Sequence, residues 1–287
     1  MTTVSVIIPC YNSGEFINEA IQSVLDQTCQ DLEIIVIDDG SNDSATINVL
    51  NSSRWERTCI LRQENMGLPA ARNTGIRAAV GEFILPLDAD DRIDPSYVEK
   101  ALAVMYTQPN IGIVYCKAMR FGEIEGPWLL PPFSLQAMVN GNVIFCTALF
   151  RKCDWEKVGE YRETMRHGLE DYDFWIRMLS KGIEVYQIDE YLFHYRSQKN
   201  SLLTKFWSNK EVAISTYAEV FRNNIEFFAQ HADIIYRQLF SLNEEIQHAN
   251  DEIQKLRKPI DMVAKFFSKT PTLRRWAKSM FRYMIEK

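Results

Sequence analysis

No apolar run in this 287-residue chain approaches the roughly 20 residues needed to cross a bilayer, so no transmembrane helix is expected. No basic segment precedes the first apolar stretch, Met1-Thr2-Thr3-Val4-Ser5-Val6, and a secretory leader is not expected either. The six cysteines (Cys10, Cys29, Cys59, Cys116, Cys146 and Cys153) are scattered without C-x-x-C spacing. That pattern points away from a zinc site and from a disulfide framework. It fits small, buried, reduced thiols in a cytoplasmic protein. Excess positive charge is also missing. The 32 lysines and arginines stand against 38 acids, a net charge of −6, which argues against a general nucleic-acid binder.

What the chain does have is 46% hydrophobic and 24% charged residues, the make-up of a globular protein with an ample core. Its length allows one large domain, or one domain with an appendage. Val4 to Pro9 is a β-branched run closed by proline and reads as a buried strand. After the turn Tyr11-Asn12-Ser13-Gly14, apolar residues recur at helical spacing from Glu15 to Gln27. Further strands are expected over 32–37, 58–61 and 83–87, with helices over 44–52 and 70–80 between them. Strands alternating with helices imply an α/β fold with a Rossmann-like, mostly parallel central sheet flanked by helices. After about residue 116 the pattern loosens. A loop with an exposed Trp128, a strand over 143–150, a helix over 172–180 and strands over 184–188 and 192–196 are expected there.

From about Ser201 the composition becomes helical. Leu239, Leu242, Ile246, Ala249, Ile253, Leu256 and Ile260 recur in steps of three and four, a seam of three heptads damaged at its end by Pro259. Two readings stay open: an amphipathic helix packed on its own domain, or a coiled coil joining two copies through residues 239–260. Between Lys255 and Lys287, ten basic residues stand against Asp261 and Glu286, with Phe266, Phe267, Trp276, Phe281 and Tyr283 interleaved. A helix of that kind lies on an anionic membrane face or ends as a solvated helix. The expected division is a domain over 1–200, its nucleotide-binding half ending near 116 and its acceptor half over 117–200, then a C-terminal helical extension over 201–287.

Chemistry concentrates in carboxylates at strand ends, where an open α/β sheet holds its ligands. Asp88 and Asp90 are two residues apart in an extended chain, so both can face one ligand past the small Ala89. Mg²⁺ or Mn²⁺ takes oxygen ligands and completes its shell with substrate phosphates and water. An acidic turn before a helix is the ordinary alternative. Asp38-Asp39-Gly40-Ser41 ends another strand, and a carboxylate there can accept from a base imide such as uracil N3–H or from a ribose hydroxyl; a plain aspartate turn is the alternative. Pro9 and Tyr11 end the neighbouring strand, where Tyr11 either flanks a base or simply packs. Arg72 follows the tight turn Gly67-Leu68-Pro69 and pairs with acids or phosphate. Glu170-Asp171 opens a helix, where an acid also serves as an ordinary N-terminal charge.

Taken in order, these stretches resemble the family 2 glycosyltransferases. The resemblance runs through Val4 to Ser41, Gly67 to Gly75, Gly81-Glu82-Phe83-Ile84 with Asp88-Ala89-Asp90, and Glu170-Asp171 before Tyr172-Asp173-Phe174-Trp175, over roughly residues 3 to 200. It implies a GT-A fold, a nucleotide-sugar donor with UDP expected, a divalent cation and inversion at the anomeric carbon. Carried over by position, Asp39 reads the base between Pro9 and Tyr11, Asp88 holds ribose or metal-bound water, Asp90 ligates the metal and Asp171 is the general base, with Arg72 assisting at the diphosphate. Relatives often carry a histidine shortly after the late Tyr-Arg dipeptide. Here Tyr195-Arg196 runs on to Ser197-Gln198, with His194 before it, so His194 or Gln198 lines the site. Trp128 and residues near Asn142 are candidates for acceptor contact. The acceptor expected is a hydroxyl of a polysaccharide, a lipid-linked glycan or a protein, at the cytoplasmic side and, if the tail binds, on the inner membrane face. Two alternatives remain at this point. A nucleotidyltransferase would want a basic Gly-rich loop that Pro9 to Gly14 lacks, and a non-catalytic nucleotide-sugar-binding module would keep the site without turnover.

Overall fold

The computed structural model describes the backbone of residues 2–199 and 201–268, and their side chains except 202, 203, 260, 263, 264 and 266–268. The chain divides into two units, between His231 and Ala232. The first holds β1 (Val4–Cys10), α1 (Ile17–Leu25), β2 (Leu32–Asp39), α2 (Ser44–Ser52), β3 (Thr58–Gln63), α3 (Leu68–Ala78), β4 (Phe83–Pro86), β5 (Arg92–Ile93), α4 (Tyr97–Thr107), β6 (Ile111–Gly122) and β7 (Gly126–Trp128). It continues with α5 (Leu135–Asn140), β8 (Leu149–Arg151), α6 (Lys152–Val158), α7 (Glu170–Leu179), β9 (Glu184–Ser197), α8 (Leu202–Ser208), α9 (Lys210–Asn223) and α10 (Ile225–Gln230). The second unit is described as one helix, α11 (Ala232–Ser268).

The sheet runs β3-β2-β1-β4-β8-β6-β9-β5, with β7 paired on β6. The first four strands are parallel, as the strand–helix alternation predicts. Beyond β4 the ladders are antiparallel except for the parallel pair β6–β9. β1 is buried along its whole length, which its unbroken Val-Ser-Val-Ile-Ile run requires. α1 buries Ile17, Ala20, Ile21 and Val24. Gly75 brings α3 close: a methyl group there would lie 2.5 Å from Ile37 Cδ1 and 2.6 Å from Ile7 Cγ2.

Chain order reverses between β1 and β4, which places a cleft at their carboxyl ends. Ile7 O accepts from Leu87 N at 2.9 Å, the last rung between these strands. Two residues on, Pro9 faces the same side and carries no N–H, so the ladder stops there and the strands part. Both proline-closed strands therefore open onto the cleft.

Three elements differ from the sequence expectation. The strand predicted over 143–150 is pleated only at 149–151, because the preceding residues turn away to serve α7: Ile144 O accepts from Trp175 Nε1 and Asn142 reaches Asp171. The two short strands after residue 184 are one 14-residue strand that shifts register beside Cys116 and Lys117. Trp128 is no free loop residue; it ends β7, half-buried, with its ring 4.7 Å from that of Tyr195 and 6.5 Å from that of Phe145. The helix α4 and the long β6, together spanning residues 97–122, are not among the elements expected from the sequence.

The first unit also runs on past residue 200. Asp173 on α7 is fully buried and accepts from Arg162, Arg177, Asn223 and Asn224, which ties α9 and the start of α10 to α7. Tyr217 of α9 packs edge-on against Tyr172. All six cysteines are free, but only Cys10 and Cys116 are buried; Cys59 and Cys153 are exposed. No helix among the described residues is long and apolar enough to cross a membrane. The basic tail beyond Ser268 lies outside the described residues.

Candidate active site

The cleft receives side chains from four places. β1 and β2 deliver Tyr11, Asp38 and Asp39. The turn after β4 delivers Asp88, Asp90 and Asp91. The start of α7 delivers Glu170 and Asp171, and the end of β9 delivers Arg196 and Gln198. The two turns on the first side are latched together: Asn12 N donates to Ser41 Oγ, and Asn12 Oδ1 accepts from Asn42 N at 2.9 Å. This holds the exposed Tyr11 over the strand ends, with Pro9 buried beneath.

Asp38 and Asp39 are both buried and both satisfied. Asp38 accepts from Ser41 N at 2.9 Å and faces Arg62 at 3.8 Å. Asp39 Oδ1 accepts from Gln63 Nε2 at 2.7 Å and Met66 N at 2.9 Å, while Oδ2 accepts from Gly67 N at 2.9 Å. Asp39 therefore fixes the 63–67 loop, and a base donor would have to share its remaining lone pairs.

Arg72 is placed differently from a phosphate-facing cation. It is 1% exposed, donates through Nη1 to Glu170 and through Nη2 to Asp88 Oδ1 at 2.7 Å, and lies 5.8 Å from the Tyr161 ring. Burial alone would lower its pKa; Asp88 and Glu170 outweigh that and hold it well above its usual value. Its charge is taken up inside the protein, as a strut between the β4 turn and α7. The expectation that Arg72 would assist the diphosphate directly is corrected on this ground.

The β4 turn is crowded with negative charge. Asp90 is pushed up to about 6 by burial and by Asp88. Asp91 is 1% exposed and raised well above the carboxylate range by burial, Asp90 and Asp88. Its Oδ1 accepts from Arg196 N at 2.8 Å, and its buried Oδ2 has no hydrogen-bond partner in the structure. Arg196 Nε donates to Asp90 O at 2.8 Å, and the guanidinium is stacked between Phe16 and Phe121. Cys146, half-buried as a residue, has its Sγ 3.6 Å from Asp88 Oδ2, and desolvation of the thiol together with Asp88 pushes its pKa up.

Of the two residues left open by the sequence, Gln198 is the one brought to the acidic turn. Its Nε2 donates to Asp90 Oδ2 at 2.7 Å. His194 instead sits in the β5–β9 ladder opposite Arg92, and its pKa is lowered by burial and by Arg92. A divalent cation fits this turn in one respect that the structure shows: neighbouring carboxylates raise one another's proton affinity, and one buried oxygen is orphaned. Among the described residues no three His, Cys, Asp or Glu side chains converge on one point. An ion held by Asp90 and Asp88 would thus draw its other ligands from phosphate and water, as Mg²⁺ commonly does.

Asp171 stands at the start of α7, just after Gly168 and Leu169, both at positive φ. Its Oδ2 accepts from Asn142 Nδ2 at 3.0 Å, and burial together with Glu170 pushes its pKa up to about 7. That value suits Asp171 to exchange a proton near neutral pH. Sequence reasoning missed Asp91, Cys146 and Arg196. Only the adjacency of Asp91 to the acid pair, and the place of Arg196 in the late dipeptide, carried any signal. Residues near Asn142 were candidates for acceptor contact; Asn142 itself is hydrogen-bonded to Asp171.

Residues 5–161 match the family model described as Glycosyl transferase family 2. The chain is 26% identical over 302 residues to EpsH of Bacillus subtilis (strain 168), covering 99% of this chain and 80% of that protein. The structure superposes on S. aureus TarS 1-349 in complex with UDP with a TM-score of 0.60 at 20% identity, covering 79% of this chain and 65% of that one. It also matches mannosyltransferase PcManGT from Pyrobaculum calidifontis, solved with GDP-Man and Mn²⁺, with a TM-score of 0.57 at 21% identity over 76% of this chain and 64% of that one. The fold is that of the GT-A glycosyltransferases.

Proposed function

The chain belongs to glycosyl transferase family 2 and is a glycosyltransferase, and from that premise we propose a specific reaction: transfer of a sugar from a nucleoside-diphosphate donor to an acceptor hydroxyl, by single displacement with inversion. The observation that carries the proposal is Asp171, oriented by Asn142 and raised to about 7, in the same cleft as the β4 acids. A base of that strength takes a hydroxyl proton near neutral pH as the oxygen attacks. Asp39, Pro9 and Tyr11 take the nucleoside, for which UDP is favoured by the TarS complex and by an imide donor suiting Asp39. A divalent cation, Mg²⁺ or Mn²⁺, when held by Asp90 and Asp88, supplies charge neutralisation to the departing diphosphate. Arg72 keeps Asp88 and Glu170 in place, so α7 and the β4 turn hold a fixed separation. Arg196 and Gln198 brace the turn from β9. A sugar hydroxyl of a growing glycan is the proposed acceptor, and Trp128, tilted against Tyr195 beside the cleft, is its proposed platform.

The test is a panel of nucleotide sugars with purified protein and Mg²⁺ or Mn²⁺, read by release of nucleoside diphosphate. Release from one UDP-sugar is expected, abolished by EDTA and by Asp171→Asn while that variant still binds UDP. A variant at Asp171 that turns over like the parent defeats the assignment of the base. NMR of the product's anomeric centre decides between inversion and retention.

A further inference from the structure

We propose that α11 pairs with α11 of a second copy of this chain as a parallel, two-stranded coiled coil over residues 239–256. The apolar seam is uncovered: Leu239, Leu242, Ile246, Ile253 and Leu256 are 49%, 44%, 57%, 48% and 70% exposed, and Ala249 is exposed between them. Solvent-facing helices do not keep an apolar residue every 3.5 positions through three heptads without a partner for that stripe. In heptad terms Leu239, Ile246 and Ile253 occupy a, and Leu242, Ala249 and Leu256 occupy d. Isoleucine at two of the three a positions, with leucine at two of the three d positions, favours two parallel strands over three or four. The small Ala249 leaves one narrow layer, which weakens the pairing without changing its register. Pro259 lacks the N–H for the next helical bond, and the seam closes just before it, at Leu256.

The flanking charges choose the direction. In a parallel pair each g residue meets the e residue of the next heptad on the other copy. That sets Glu252 against Arg257 and Glu245 against Asn250, with no like charges opposed. In the antiparallel pair that aligns the same layers, Glu245 of one copy meets Glu252 of the other, twice by symmetry. The attractive contacts and the avoided repulsion therefore point the same way. The seam is about 27 Å long, near the short limit for a coiled coil, so the dimer is expected to dissociate on dilution.

Sedimentation velocity of the full chain over about a hundredfold range of concentration tests this. A monomer–dimer equilibrium is expected, and the double variant Ile246→Asp with Ile253→Asp should stay monomeric. These positions are exposed, so the variant's thermal shift with UDP should match the parent's and report an intact first unit. Arg257→Glu should weaken dimerisation roughly tenfold, and Glu252→Arg added to it should restore most of that loss. A parent that is monomeric throughout overturns the proposal and leaves the seam to this chain's own first unit or to another protein. A dimer that survives the double aspartate variant overturns it too. A dimer indifferent to Arg257→Glu overturns the parallel register, and a trimer or tetramer overturns the two-stranded assignment.

Discussion

At the β2 end of the cleft Asp39 accepts three hydrogen bonds, from Gln63, Met66 N and Gly67 N, and Asp38 accepts one from Ser41 N. At the β4 end Asp90 and Asp91 face each other and Asp88, both raised in pKa, with an oxygen of Asp91 left unpaired. The same residue type thus does opposite work some strand-widths apart. Where backbone N–H groups surround a carboxylate, it shapes a loop and presents a fixed acceptor, which suits a neutral base. Where carboxylates surround a carboxylate, the site holds negative charge that folding has not neutralised, which suits a cation and the exchange of a proton.

That contrast fails if charge at the β4–α7 end proves dispensable. The largest effect is expected from Asp171→Asn: a loss of about 10²- to 10⁴-fold in kcat with little change in donor KM. The parent's rate should rise with pH and level off above about 7, because Asp171 must lose its proton to act as base. Initial rates against pH check this, and a flat profile down to pH about 5 would remove Asp171 from the role. Next is Asp90→Asn, expected to lower kcat/KM about 10²-fold and to abolish stabilisation by Mg²⁺. The linkage sign is opposite to that of a salt-bridged acid. Native Asp90 keeps its proton up to about 6, whereas an unfolded aspartate loses it near 4. Between those values the folded state binds the extra proton, so metal-free stability falls as pH rises. The neutral amide of Asp90→Asn removes that penalty, and the EDTA-treated variant should melt a few degrees above the parent at about pH 7. A lower melting temperature would mean that Asp90 is not the strained group.

Much of the β2 end was legible in the sequence, because strand ends, turn residues and proline breaks are local signals. The alternation from Val4 to Leu87 gave four parallel strands and put Asp39, Asp88 and Asp90 on one edge. The β4–α7 end was legible only as residue types. That Arg72 is spent between Asp88 and Glu170, 98 positions from its own place in the chain, has no local trace. Nor has the tie of Asn223 and Asn224 to Asp173, which carries the first unit past residue 200. The irregular 141–148 segment imitates a strand, since Val143-Ile144-Phe145 has strand propensity while its role is to deliver Asn142 and Ile144 to α7. Propensity yields where a tertiary partner claims the backbone.

The β2 end itself is tested by Asp39→Asn, which keeps the volume but removes one acceptor oxygen. Two N–H donors and the Gln63 amide then compete for the one that remains. Donor KM should rise about tenfold with kcat nearly unchanged, since the loss falls on ground state and transition state alike. A change confined to kcat would place Asp39 with the reacting groups and dissolve the contrast.

The smallest effect is expected at the border between the two ends' styles, where Gln198 gives the acidic turn one neutral donor. Its Nε2 hydrogen bond to Asp90 Oδ2 favours the charged carboxylate, against burial and Asp88, which favour the protonated form. Removing it in Gln198→Ala should move Asp90 further up. At about pH 6 more of the protein then carries a protonated Asp90, and Mg²⁺ affinity should drop a few-fold. At about pH 8 Asp90 is ionised in parent and variant alike, and the difference should shrink towards nothing. Titration calorimetry with Mg²⁺ at both pH values separates this from a direct contact between the Gln198 amide oxygen and the ion, which would lower affinity equally at both. A pH-independent loss would therefore move Gln198 from a residue that sets the charge of Asp90 to one that binds alongside it.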